Sequence, residues 1–137
     1  EFVSWDHRPT EGMKMTVKEI GERLVELCSQ GKNLEAIYEL YGKDIASIEA
    51  AKPPEGERTS NGVDAVKAKN EWWIENHEVH DASVKGPFPH GEDRFCVTFA
   101  YDVTFKPSGQ RFPMEEVALY TVSDGKIVRE EFFYSMG

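Results

Sequence analysis

Residues 75–80 read ENHEVH, two histidines and two glutamates in six positions. A zinc-binding His-Glu-x-x-His needs its imidazoles four residues apart on one helical face. His77 and His80 are three apart. A helix could still bring them together, whereas a strand sends them to opposite faces. A second group with chemical potential is Glu116. The even positions of RFPMEEVALYTV (111–122) are Phe112, Met114, Glu116, Ala118, Tyr120 and Val122, five apolar or aromatic side chains and one carboxylic acid. An unpaired carboxylate on an apolar face either costs several kcal/mol or takes up a proton. A carboxyl so placed is also a general acid or base suited to neutral pH. A lysine or arginine partner, or a bulge turning it outward, would make Glu116 a structural charge instead. Glu115 is expected to be its solvated neighbour. Glu49, beyond Ile45 and Ser47, reads as a strand-end carboxylate.

Whether these groups meet depends on the elements that carry them. Thr16 with Glu19 is a capping box, and Val17, Ile20, Leu24, Leu27 and Cys28 follow at helical spacing up to Gly31. Asn33 is expected to cap a second helix with Leu34, Ile37, Tyr38 and Tyr41 on one face, ended by Gly42. KDIASIEA (43–50) predicts a short strand and AKPPEGERTSNG (51–62) a loop. A third helix is expected from about Asn61 to Asn76 on a stripe of Val63, Val66, Trp73 and Ile74, interrupted by Asn70. The period then changes to two. EVHDASVK (78–85) alternates weakly before a loop, GPFPHGED (86–93). RFCVTFAYDVTF (94–105) alternates throughout, with Phe95, Val97, Phe99, Tyr101, Val103 and Phe105 on one face. KPSGQ (106–110) is a turn, 111–122 the next strand, SDG (123–125) a three-residue hairpin loop with a left-handed glycine, and KIVREEFFYS (126–135) the last strand.

Three helices and one early strand followed by a four-stranded antiparallel meander make an α+β fold with helices on one face of the sheet. His80 then lies in a strand, so the two histidines diverge, and no metal is expected. His80 shares its face with Ala82 and Val84 and is expected to look inward, leaving His77 solvated. Folding strand 111–122 back on 94–105 sets Glu116 opposite Phe99 or Tyr101. Whether Glu130 or Glu131 faces inward stays open.

The chain has 137 residues and a net charge of -9. That length fits a single domain, and the acidity argues against nucleic-acid binding and against docking on anionic membranes. No apolar run approaches the roughly 20 residues of a membrane span, and no signal-peptide pattern is present. Cys28 and Cys96 read as free thiols in a reducing cytosol. Residues 1–12 show no period and read as a leader or expression-derived segment ahead of a single domain over 13–137. There is no phosphate-cradling glycine pattern, no Gly-x-Ser-x-Gly, no Ser-His-Asp order and no cysteine pair at metal spacing. Tyr38, Tyr41, Trp72 and Trp73 read by default as core.

NLEAIYELYGKDIASIEA (33–50) and MEEVALYTVSDGKIVREEFFY (114–134), in a helix-helix-strand-helix-meander order, resemble the nuclear transport factor 2-like superfamily, which includes ketosteroid isomerase and the SnoaL-like polyketide cyclases. The likeness runs over roughly 13–135. It implies a cone of three N-terminal helices on a curved, mainly antiparallel sheet, an apolar pocket at its open end, and a homodimer formed through the sheet. Glu49 matches the isomerase's carboxylate base, five residues after a shared Asp44. The isomerase's oxyanion-hole tyrosine has no match, the nearest positions being Arg23 and Leu24. Its second acid falls near Ala118, two residues from Glu116 on the same face.

The resulting expectation is a cytoplasmic dimer that binds a small hydrophobic molecule, with Tyr38, Trp73, Phe99, Tyr101 and Tyr120 lining the ligand. If it is an enzyme, it moves protons beside a carbonyl without a cofactor, as in isomerisation, cyclisation or dehydration. Glu49 or Glu116 would serve as base and acid, with His80 and Tyr120 or Tyr101 as hydrogen-bond donors. The rival is a non-catalytic ligand-binding or dimerisation module. Two inward carboxyls converging in a closed pocket would favour the enzyme, and a pocket filled by side chains the rival.

Overall fold

The structure, a computed structural model, describes residues 14–53 and 56–135. The leader read over residues 1–12 lies outside them. Thr16 begins the first helix, α1 (Val17–Ser29). Its hydroxyl accepts from the Glu19 N–H at 3.1 Å, and the Glu19 carboxylate accepts from the Thr16 N–H at 2.8 Å. Two donors that no helical carbonyl could reach are thereby satisfied. Ile20, Leu24, Leu27 and Cys28 form its buried stripe.

The second helix, α2 (Asn33–Leu40), starts at Asn33 rather than after it and stops before Tyr41. Its buried residues are Ala36, Ile37 and Leu40, so the inward stripe is the predicted spacing moved back by one position. Tyr38 is consequently turned outward and is 78% exposed. Tyr41 opens strand β1 (Tyr41–Ile48) instead of closing the helix. The loop that follows contains a short strand, β2 (Thr59–Asn61), which the sequence did not signal and which pairs antiparallel with β1. Helix α3 (Val63–Asn76) buries Val66 and half-buries Val63 and Trp73. Ile74, expected on its inner stripe, is 44% exposed.

The remaining strands are β3 (His77–Pro89), β4 (Arg94–Phe105), β5 (Gln110–Ser123) and β6 (Lys126–Phe133). β3 runs through the first half of the predicted loop 86–93. The six strands form one open sheet in the order β2-β1-β6-β5-β4-β3, antiparallel throughout except that β1 runs parallel to β6. The β5–β6 turn has two residues rather than three: Ser123 pairs with Lys126, and Asp124 (φ 53) and Gly125 (φ 75) are both left-handed. Such a turn matches the right-handed twist of the flanking strands.

All three helices lie against this mainly antiparallel sheet, as an α+β fold requires. The core joins α1 and α2 to Ile45, Phe95, Val97, Phe99, Ala118, Tyr120, Val122 and Ile127. Gly21 admits a close approach of α1 to β3, since a β-carbon there would lie 2.8 Å from the Pro87 side chain. Cys28 and Cys96 are free, and burial pushes the Cys28 thiol up to about 12. No helix among the described residues is long and apolar enough to cross a membrane.

Candidate functional site

Two bulges decide which side chains face the helices. In β3, Val79 stands opposite Val103 but Asp81 stands opposite Asp102, leaving His80 as an extra residue. One extra residue reverses the alternation on its far side. The expected orientation of the two histidines is therefore inverted. His80 points to the outer face, where its Nε2 meets Thr104 Oγ1 at 2.7 Å. It is exposed and does not look inward. His77, expected to be solvated, instead faces in and stacks on Trp73 at 4.3 Å between ring centroids with 14° between planes.

In β6, Thr121 opposite Arg129 is followed by Val122 opposite Ile127, so Val128 is the extra residue. The inward face thus passes from Ile127 to Glu130 and Phe132. This settles the choice between neighbouring acids: Glu130 is 1% exposed, while Glu131 is half-buried and pairs with Arg129 at 3.2 Å.

Glu130 is the deepest charge-bearing group of the site. It accepts a hydrogen bond from the Tyr41 hydroxyl, and another from the Ser47 hydroxyl at 2.7 Å. Lys69 on α3 donates to Ser47 Oγ at 2.6 Å and to Glu49 Oε2 at 3.0 Å. Tyr134 donates to Glu49 Oε1 at 3.2 Å. A continuous chain of hydrogen bonds thus links the half-buried Glu49 to the fully buried Glu130. Burial raises the Glu130 pKa, although both hydroxyl donors and Lys69 oppose it by favouring the ionised form. Neither Lys69 nor Glu130 was assigned a role from the sequence. Lys69 had a signal, because it stands three residues after Val66 and four before Trp73 on the inward stripe of α3.

Glu116 sits directly opposite Phe99, one of the two registers expected for it. It is half-buried, and among the described residues it has no hydrogen-bond partner. Its pKa is pushed up to about 7, first by burial and then by the negative charges of Glu49 and Glu130, with Lys69 pulling the other way. Part of its surface still meets solvent, but the protein packed around it denies the carboxylate full hydration. Glu115 faces out and is exposed.

An aromatic row continues from Glu116 along the inner face. Phe99 stacks on Tyr101 at 6.1 Å, Tyr101 approaches Trp73 at 5.5 Å, and Trp73 carries His77. Tyr101 is half-buried, whereas Phe99 and Tyr120 are buried, Tyr120 stacked on Phe95 at 5.1 Å. The structure thus gathers Glu116, Glu49, Trp73, Phe99, Tyr101 and Tyr120 of the expected set on the helix side of the sheet. Tyr38 departs from it: its ring lies on the outer side of α2, under Lys67 Nζ at 5.0 Å. A groove of about 200 Å3 opens along β3–β5, lined by Asp81, Ser83, Ala100, Tyr101, Asp102, Pro113, Met114 and Glu115; Glu49, Glu116 and Glu130 do not line it. Among the described residues no group of three or more His, Cys, Asp or Glu side chains is placed to hold a metal ion.

A sequence model of the SnoaL-like domain matches residues 15–134. A candidate SnoaL-like polyketide cyclase from Mesorhizobium loti is 47% identical, aligns over 88% of this chain and 100% of its own, and superposes with a TM-score of 0.82. A candidate isomerase from Bacillus subtilis shares the fold at 13% identity and TM-score 0.73, covering 88% of this chain and 90% of its own. A protein with a ketosteroid isomerase-like fold from Catenulispora acidiphila, in complex with trimethylamine, does so at 18% identity and TM-score 0.63, covering 80% and 81%. No curated protein matches.

Proposed function

The chain belongs to the SnoaL-like domain family of the nuclear transport factor 2-like superfamily, and from that premise we propose that it binds a small hydrophobic carbonyl compound and moves a proton on the carbon beside the carbonyl. The observation that carries this reading is Glu116, a carboxyl with no hydrogen-bond partner among the described residues, opposite Phe99 and titrating at about 7. Near neutral pH such a group exists as both base and acid, which is what removing a proton from one carbon and returning it to another requires.

In the proposed step, ionised Glu116 takes the α-proton and the electron pair of the C–H bond moves into an enolate. The developing oxygen charge is met by a hydrogen bond from the half-buried Tyr101 hydroxyl, and protonated Glu116 then delivers its proton to carbon. Lys69 keeps Glu116 from losing its base form altogether, since it is the cation acting against Glu49 and Glu130. Glu49, ion-paired with Lys69, tunes this balance rather than acting as the base. Tyr120 and Glu130, both almost fully buried, hold the wall.

The test is proton–deuterium exchange at the α-carbons of 2-tetralone, a flat cyclic ketone, in heavy water followed by proton NMR. Exchange above buffer background that disappears in Glu116→Gln supports the reading. Exchange that persists in that variant overturns it.

A second reading is favoured by the pairing of a carboxyl with the Phe99–Tyr101–Trp73 row. Such a set suits an alkylammonium ion through cation–π attraction and charge, and a fold neighbour holds trimethylamine. The protein would then be a binding module without chemistry. Saturable trimethylamine binding together with no 2-tetralone exchange would select it.

The outer face bears on a partner. Val117 lies opposite Phe133, and the two are 39% and 48% exposed; Phe88, opposite Cys96 on the same face, is 50% exposed. We propose that a second copy of the chain covers these apolar side chains.

A further inference from the structure

We propose that His77 is a ligand-contacting residue of this site, its Nε2 accepting a hydrogen bond from a hydroxyl group of the ligand. The inference rests on the reading of the inner sheet face as the binding surface, and it adds to that reading the class of ligand: a flat molecule bearing a hydroxyl away from the end that Glu116 meets.

The β3 bulge is what makes this possible. Without the extra residue at His80, strand alternation would turn His77 to the outer face. With it, His77 pairs with Phe105 on the inner face, at the start of β3. The ring is then held from three sides, stacked on Trp73, edge-on to Trp72 at 6.2 Å and tilted against Phe105 at 5.2 Å.

Its nitrogens are not equivalent. Nδ1 lies 2.8 Å from the Trp73 carbonyl oxygen, an acceptor only, so the proton of the neutral ring belongs on Nδ1. Nε2 is left as an acceptor, and among the described residues it has no partner. A half-buried imidazole whose orientation and tautomer are both set, with its second nitrogen free, is arranged to receive an O–H. The Trp73–Tyr101 contact joins it to the aromatic row that ends at Phe99 and Glu116. The inner face between His77 and Glu116 therefore runs along aromatic side chains, which suits a flat apolar ligand.

The experiment compares 2-naphthol with 2-methoxynaphthalene, which has the same ring system and no hydroxyl to donate. Histidine labelled with carbon-13 at Cε1 reports binding, the His77 signal being identified by its loss in His77→Gln. Saturable movement of the His77 signal by 2-naphthol is expected, with His80 unmoved. Wild type should bind 2-naphthol about fivefold more tightly than the ether, in keeping with one net hydrogen bond of about 1 kcal/mol. His77→Phe keeps a ring to stack on Trp73 and should erase that preference, and His77→Leu, which also lacks an acceptor, should do the same if the phenylalanine variant folds poorly. A preference unchanged in both variants, a static His77 signal, or no binding of 2-naphthol overturns the proposal. The comparison also separates this proposal from the proton-transfer reading. A preference that depends on His77 in a protein inert toward 2-tetralone removes the chemistry and leaves the contact standing.

Discussion

Ser47 and Glu130 stand side by side on neighbouring parallel strands, and the serine hydroxyl donates to the carboxylate at 2.7 Å in the interior of the protein. The same carboxylate takes the Tyr41 hydroxyl, and the same serine takes Lys69. Four polar groups on three elements therefore satisfy one another where water has little access.

Removing the centre of that network should be costly. Glu130→Ala leaves the Tyr41 and Ser47 hydroxyls without their acceptor, and Lys69 with Glu49 as its remaining counter-charge, a loss of about 3–5 kcal/mol of folding stability. Glu130→Gln retains an oxygen for one hydroxyl and should cost less than half as much. Urea unfolding of both variants at pH 7 measures the difference. Equal and small losses would mean that Glu130 does not organise the interior.

Gly21 on α1 supplies a second prediction. In an exposed helix Gly→Ala stabilises by about 1 kcal/mol, but here the new methyl would sit within 2.8 Å of a rigid proline ring, Pro87. Forcing α1 away from the sheet costs about 1–3 kcal/mol, so the net change should be destabilising. A Gly21→Ala protein that melts higher than wild type would show that the contact yields easily.

Much of the scaffold was readable from local chemistry. The Thr16–Glu19 capping box, the unbroken alternation of 94–105 and an aromatic residue opposite Glu116, Phe99 of the two expected, are all present in the structure. Each depends on a period or a pairing confined to a few residues. Two of the failures share a cause. A bulge is one uncounted residue, and the alternation rule carries its error to the end of the strand. The bulge at His80 exchanged the faces of the two histidines, and the one at Val128 left Glu130 undecided. Lys69 has no place in the sequence reading, although Val66 and Trp73 on either side mark its stripe as inward. Tyr38 was placed inward by a stripe that fits the sequence equally well one position earlier.

The outer face carries a third prediction. Val117 and Phe133 are paired and exposed, and a second copy covering them should give a dimer in sedimentation at micromolar concentration. Val117→Lys places a charge in the middle of that contact and should give a monomer. The inner face is untouched by this change, so exchange with 2-tetralone should be altered only as far as dimerisation itself supports the fold. A wild-type monomer would remove the proposed interface.

Glu116 ties stability to pH with a definite sign. Its folded pKa, about 7, lies above the ordinary glutamate value of 4.5, so the folded state binds the proton more tightly than the unfolded chain. Its contribution to stability is complete below pH 4.5 and is lost as pH rises through 7. Glu116→Gln keeps the shape and removes the charge. At pH 8 the variant should therefore be more stable than wild type by about 1–2 kcal/mol, less than the full shift implies because the group is only half-buried. At pH 4 the two proteins should be nearly equal. Exchange of 2-tetralone should follow the opposite course, rising as Glu116 ionises and levelling off above pH 8. Glu115→Gln, on the exposed side of the same strand, should reproduce neither effect. Denaturation of wild type and Glu116→Gln across pH 4–8 is the decisive measurement. If the glutamine variant is instead weaker at pH 8, Glu116 is held by an ion pair in solution, and its role as the base fails with that result.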